Sequence, residues 1–381
     1  MSRRTLDVIG VRRDLHAHPE LAFAETRTTE VIVELLESFG LAPRVLPDGT
    51  GVLCDLGTDG PLIALRADID ALPLADEKTV PYRSTDDGAC HGCGHDAHTA
   101  ILLGAAAQLA GRALPGRIRL VFQPAEETVP GGALSAVRAG ALDGVGKIFA
   151  LHCDPRLETG RVGVRAGAIT AACDHVQVRL SGAGGHTARP HLTQDVVYAL
   201  GRLITELPGL LSRRVDPRAA LSLVWGQVTA GRAANAIPTS GLLRGTLRVF
   251  DRGAWDLAGD LVRSLVDEIV APCGVHAETT YVRGVPPVVN DAAAAEVQRS
   301  AVLTALGPSA LVETEQSMGG EDFAWYLEDV PGALARLGVR RPGAPAFDLH
   351  QGTFDIDEDA LEVGVRYTVA LALAALASLG R

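Results

Sequence analysis

Residues 61–70 read PLIALRADID: a proline, a short leucine-rich run, then Asp68 and Asp70. Bounded in this way, the run predicts a buried β-strand. Two further runs share its build. RIRLVFQ (117–123) stops at Pro124 and leads to Glu126 and Glu127, and KIFALH (147–152) ends on His152. In an open α/β sheet, sites form beyond the carboxyl ends of the strands. Parallel neighbours of this kind would gather their acidic and imidazole side chains on one rim.

The surrounding texture supports such a sheet. TRTTEVIVELLESFG (26–40) repeats apolar residues at helical spacing and ends on Gly40, a C-cap residue. AHTAILLGAAAQLAG (97–111) reads as a helix with a small-residue face. Strands alternating with helices imply an α/β layer with a largely parallel sheet. Near residue 172 the texture changes: DHVQVRLSGAG (174–184) alternates apolar and polar, as a half-exposed antiparallel strand does. From there to about residue 286 the order is β-α-β-β-α-β, the ferredoxin-like pattern. The expected organisation is a discontinuous α/β domain, 1–171 plus 287–381, with an α+β domain inserted at 172–286. The alternating strands of the inserted domain have edges on which a second copy could pair, giving a homodimer.

Bulk properties narrow the partners. A formal net charge of −11 and basic residues that run no further than short pairs exclude a nucleic-acid role. The N-terminus has no apolar core of signal-peptide length. The longest apolar stretch, TVALALAALASLG (368–380), is shorter than the roughly 20 residues of a membrane span and reads as a buried helix. Six scattered cysteines without a small-domain framework read as thiols or ligands. A cytoplasmic protein with no membrane partner is the expectation.

The stretch CHGCGHDAHTA (90–100) sits just before the alanine-rich helix and so can share the rim. Gly92 and Gly94 flank Cys93, so the backbone can turn and let Cys93 and His95 face a common point. A thiolate and an imidazole two residues apart form part of a shell for a divalent ion. Glu127 and His152 are the natural candidates to complete it. A redox Cys90-x-x-Cys93 lacks a thioredoxin-like context, and a zinc knuckle lacks its second ligand pair. Asp96 is expected to cap the helix or orient a ligand, with Asp70 also behind the ligands. His98 reads as packing or support.

These segments resemble the aminoacylase/carboxypeptidase family of dinuclear metallohydrolases. The match is to its amidohydrolase branch of hippurate hydrolases, N-acyl-amino-acid amidohydrolases and plant indole-acetyl-amino-acid hydrolases. It rests on RRDLHAHPELAFAE, LRADIDALPL, CGHDAHTA, FQPAEE, ALH, GGHTARPH, NAIP, LRGTLRVFD, MGGEDFAWY and DLHQGTFDIDEDAL, in that order along nearly the whole chain. The resemblance implies a zinc-peptidase-like catalytic domain with an inserted lid or dimerisation domain. It implies two divalent ions, Zn²⁺ or Mn²⁺, held by Cys93, His95, Glu127, His152 and His350, with Cys93 as a bridge. Glu126 would be the general base acting on a metal-bridged water, and His186 would reach the reacting carbonyl. Asn235 and Arg248 would hold the carboxylate of an N-acyl amino acid.

Two departures from the pattern carry information. Asp68 stands where the peptidase branches have a ligand histidine, and Cys93 where they have a bridging aspartate. Both move the expectation from a dipeptidase or carboxypeptidase toward an amidohydrolase. A non-catalytic binding protein on the same scaffold would have a broken base or shell, and every family position is present here. After His350, QGTF replaces the usual proline-containing turn, and RAANAIP varies the family's asparagine segment.

Overall fold

In the computed structural model, which describes residues 6–380, the three runs read as strands lie side by side and parallel. Leu62–Asp68 has Arg117–Gln123 on one flank, with Asp68 opposite Gln123, and Val145–Glu158 on the other, with Arg66 opposite Ala150. Gly332–Arg340 continues the parallel set beyond Val145–Glu158. The full sheet runs Arg44–Val45, Val52–Leu56, Arg117–Gln123, Leu62–Asp68, Val145–Glu158, Gly332–Arg340, Val162–Gly163, Leu311–Val312. Val52–Leu56 and Val162–Gly163 pair antiparallel with this parallel centre, and Leu311–Val312 runs parallel to Val162–Gly163.

The Thr26–Ser38 helix ends as its sequence predicts. Gly40 adopts φ +79°, and the Leu41 amide donates to the Leu36 carbonyl, a Schellman closure. The apolar C-terminus is the buried helix expected, but longer than its apolar run. It is one helix, Asp359–Leu379, whose 21 residues are long and apolar enough for a membrane span. It is instead the core helix of its unit, with 61% of its most apolar window buried. The polar turn Asp359–Glu362 extends the helix beyond the apolar run, which is why the run alone underestimates it. It packs on His95–Leu109, where a methyl group on Gly364 would stand 2.5 Å from Ile101. Such overpacking costs about 1–3 kcal/mol, so the helices meet where the residue is glycine.

The chain divides into two units, one comprising Thr170–Val288 with Gln316–Glu321 and the other comprising the rest. The short Gln316–Glu321 segment joins the first of these through a bridge between Ser317 and Thr170. In that unit the strands Ala172–Ser181, Ser222–Ala230, Ser240–Val249 and His276–Val285 form one antiparallel sheet in spatial order 2-3-1-4. Helices Val196–Arg214 and Arg252–Val270 contribute Leu200, Leu203, Leu207, Val262 and Val266 to its core. The fold is thus α/β with a mostly parallel sheet, carrying an inserted ferredoxin-like α+β segment.

Candidate metal centre

Two strands, one helix start and one late loop bring the expected ligands of the larger unit together. The donor atoms of Cys93, His95 and His152 lie within 4.8 Å of one another, as do those of Cys93, Glu127 and His350. Cys93 belongs to both sets. Cys93 Sγ is 3.6 Å from His152 Nε2, and His350 Nε2 is 3.3 Å from Glu127 Oε1. Glu126 Oε2 stands 3.9 Å from His95 Nε2.

Local structure explains the convergence. Gly94 caps the His95–Leu109 helix with φ +87°, and a Cβ there would lie 3.0 Å from Cys153 Sγ, so both conformation and space call for glycine. His152 does not end its strand, as the KIFALH run suggests. The strand continues to Glu158 because beyond Ala150 it still pairs with Gly332–Arg340, Arg336 opposite His152. The leucine strand stops at Asp68, which opens the rim in front of His152. His350 has φ +61°, and its amide donates to the Gly92 carbonyl at 2.8 Å, tying the late loop to the CHGCGH turn.

The imidazoles are oriented from behind. His95 Nδ1–H donates to the Asp70 carbonyl at 2.9 Å, and His152 Nδ1–H donates to the Cys153 carbonyl at 2.8 Å. These bonds fix both tautomers and leave each Nε2 lone pair free for a cation. His95 Nε2 and Glu127 Oε1 are buried and hydrogen-bond to nothing among the described residues. Buried polar atoms are rarely left so, and a divalent ion satisfies both. The donor set therefore fits metal binding.

Charge in the metal-free site points the same way. Burial pushes the Cys93 thiol well above its ordinary value, and Glu127, Glu126 and Asp68 push it further. Burial would lower His95, yet Asp68, Asp70 and Glu127 outweigh it and raise the imidazole to about 10. His152 is held well below its usual range by burial first and then by the Arg336 charge. Burial lifts the Glu127 carboxyl, with His95 and His350 opposing. A site that retains protons on a thiol and an imidazole is short of positive charge.

Asp70 supports a second ligand: its Oδ2 accepts from the Glu127 amide at 3.0 Å. Asp96 departs from expectation. It neither caps the helix, which Gly94 does, nor touches a ligand. Its Oδ2 pairs with Arg12 Nε and His16 Nδ1, each at 2.7 Å, because these buried cations on the Val8–Ala17 helix face it directly. Cys90 lies apart from the ligand sets. It packs with His16 and Asp76, and the Lys78 ammonium occupies the cationic place there, 2.9 Å from Asp76 and 3.5 Å from Cys90 Sγ.

Of three supporting residues, the sequence singles out His98 and Asp68 but not Glu25. His98 Nδ1–H donates to Asp68 at 2.5 Å, and its Nε2 accepts the Cys153 amide at 2.8 Å. Asp68 is anchored in turn by Arg66 at 2.6 Å. The Cys153 peptide is thereby held at its N–H by His98 and at its carbonyl by His152. The signal available was the spacing of His95 and His98, which share one face of a helix. The third is Glu25, fully buried, whose Oε1 accepts from the amide of Ala125 at 2.8 Å; Ala125 has φ +56° just before Glu126.

Burial, with a smaller contribution from Asp70, raises Glu25 to about 7. A carboxyl raised on folding contributes stability that is fully present below its unfolded value of about 4.3 and is lost as pH rises through about 7. Glu25→Gln should therefore flatten the fall of Tm across that window. The difference amounts to about 3–4 kcal/mol, or several degrees by calorimetry. Parallel Tm–pH curves for the two proteins would show that Glu25 does not titrate there.

In the other unit, His186 and Asn235 are neighbours: Gly185–His186 pairs with Ala236–Ile237, and the Thr187 amide donates to the Asn235 carbonyl. Arg248 lies at the opposite end of the Ser240–Val249 strand and donates to the Met318 carbonyl. The unit thus groups two of these three residues.

Comparison with known proteins places this geometry. Residues 64–374 match the model of peptidase family M20/M25/M40. A Rhodococcus jostii protein named as a glutamate–cysteine ligase is 54% identical over 361 residues, which is 94% of this chain but 46% of that protein. The N-acetylcysteine deacetylase of Bacillus subtilis is 37% identical over 374 residues, 97% of each chain. The crystal structure of B. subtilis YXEP, described as a dinuclear metal binding peptidase from the M20 family, superposes with a TM-score of 0.85 at 35% identity. It covers 97% of this chain and 98% of its own. With its family signature spanning both halves of the ligand set, the chain belongs to peptidase family M20/M25/M40.

Proposed function

We propose that this chain is a dinuclear metal-dependent amidohydrolase that cleaves N-acyl amino acids to a carboxylic acid and a free amino acid. The observation that carries this reading is the sharing of Cys93 between two donor triads, with Glu126 beside them. A shared donor flanked by two separate sets suits a pair of ions. The deacetylase name of a relative aligned along its full length supports the substrate class. Thiolate and imidazole suit zinc, while imidazole and carboxylate suit manganese equally.

Bound ions would polarise the scissile carbonyl and lower the pKa of water. Cys93, His95 and His152 would hold one ion, and Cys93, Glu127 and His350 the other. Glu126 takes a proton from the attacking water and returns it to the leaving nitrogen. His186 is assigned the oxyanion, and Asn235 and Arg248 the substrate carboxylate. The protein is further proposed to be cytoplasmic, in keeping with six free thiols. It is proposed to form a homodimer along the outer Ser222–Ala230 strand, where Val224 and Val228 are exposed.

The test is amino-acid release from a panel of N-acyl amino acids and short peptides after chelation, then after adding Zn²⁺ or Mn²⁺. Metal-restored release from the N-acyl compounds is expected. Release confined to peptides, or none, overturns the assignment.

The Asp68–His98–Cys153 relay adds a prediction. His98→Asn keeps a donor for Asp68 but loses the acceptor for the Cys153 amide, whereas His98→Gln can retain that acceptor. His98→Asn should weaken one of two ions by about 10–100-fold and leave the other, and His98→Gln should weaken it less. Equal loss of both ions in calorimetric titration would contradict a role confined to His152.

A further inference from the structure

The buried arginines among the described residues are Arg12, Arg66 and Arg336. Arg12 pairs with Asp96 and Asp355, and Arg66 with Asp68 and Asp322. Arg336 is only 7% exposed. Yet among the described residues no carboxylate lies within ion-pair distance of its guanidinium and no acceptor takes a hydrogen bond from it. Its nitrogens are not sealed in, unlike Arg12 Nη1, and keep some contact with solvent.

Register places this group. Arg336 is the direct partner of His152 in the parallel pair. Ala335, Leu337 and Cys153 belong to the apolar core and Leu151 packs against it. Strand side chains alternate, so Arg336 and His152 both point to the other face, on strands about 4.8 Å apart. On its far side Arg336 faces Gly163, which offers no side chain.

Burying an unpaired charge costs several kcal/mol, and a guanidinium's five donors match a carboxylate in a bidentate pair. We propose that Arg336 is a substrate-binding residue that receives a carboxylate of the substrate beside His152. The proposal rests on the amidohydrolase reading of the same rim. A carboxylate can come from a second carboxyl group at the far end of the acyl chain, or from the amino acid's α-carboxyl group, in which case Arg336 replaces Asn235 and Arg248 as its holder.

Four substrates separate the sources: N-acetyl-alanine, N-succinyl-alanine, and the carboxamide of each. Arg336→Met should lose about 10²-fold in kcat/KM on substrates carrying the carboxylate that Arg336 reads, and under about threefold on those without it. Loss on both free acids identifies the α-carboxylate, and loss on both succinyl compounds identifies the acyl chain. Equal loss on all four, or on none, overturns the proposal.

Calorimetric titration with succinate and with N-acetyl-alanine, on the metal-loaded protein, separates this from failure of the amidohydrolase reading. Binding that Arg336→Met abolishes, without turnover of any substrate, keeps the carboxylate site and discards the reaction. Binding unchanged by the substitution discards the site. The Tm of Arg336→Met should equal or exceed that of the wild type, since an unpaired buried charge is removed. A fall of several degrees would mark Arg336 as structural and overturn the proposal.

Discussion

Glu126→Gln should lower turnover by about 10²–10⁴-fold while metal content stays at the wild-type level. The expectation follows from position. Glu126 Oε2 is 3.9 Å from His95 Nε2, and Glu126 lies outside the two donor sets that share Cys93, although its carboxylate also comes within 4.8 Å of the donors of His95 and Glu127. An amide keeps the size of the carboxyl group but cannot accept a proton at neutral pH. The turn that presents Glu126 is held from outside the side chain, by Glu25 on the Ala125 amide and Asp70 on the Glu127 amide. The substitution therefore changes basicity and leaves geometry alone. Rates of amino-acid release and metal counts on the same preparation decide it. Full turnover in the variant would move the base to another group, and loss of metal would place Glu126 in the shell.

Cys93→Ala should remove both ions, whereas His350→Ala or His152→Ala should remove one. Cys93 is the only member common to the two triads, so its loss takes a donor from each. A ligand that binds only the native state adds stability according to its concentration over its dissociation constant, about 2.7 kcal/mol at a hundredfold excess. Chelation should accordingly lower the Tm of the wild type and leave that of Cys93→Ala nearly unchanged. Metal analysis per chain and calorimetry with and without chelator test this together. Two ions retained in Cys93→Ala would exclude the thiolate from both sites. Loss of a single ion would mean that the triads do not share it.

The unequal legibility of the site has physical causes. Cys93, His95, Glu126, Glu127 and His152 were legible because each lies in or just after an apolar strand run or beside a helix start, and local patterning places such residues on a rim. Asp96 was misread because capping is a local expectation, and its actual partners, Arg12 and His16, are some 80 residues away in the chain. Glu25 had no local signature and His98 only its helix-face spacing from His95, since their roles are hydrogen bonds to the amides of Ala125 and Cys153 on other elements. Arg336 reads as one more charged residue near a basic pair. Only the register opposite His152, and the lack of a partner around it, sets it apart.

The C-terminal helix shows the same division. Its apolar run was evident, but its full length and its burial against Ile101 came from packing. By itself the sequence determined the alternation of strands and helices, the inserted β-α-β-β-α-β segment and the candidate donors Cys93, His95, Glu127 and His152. These depend on periodicity and on residue chemistry, which are local. The tertiary structure alone decided which donor atoms lie within reach of one another, which carbonyl or carboxylate each histidine bonds, and which buried charges have partners. Those depend on distances between atoms far apart in the chain, and periodicity along a chain carries no information about them.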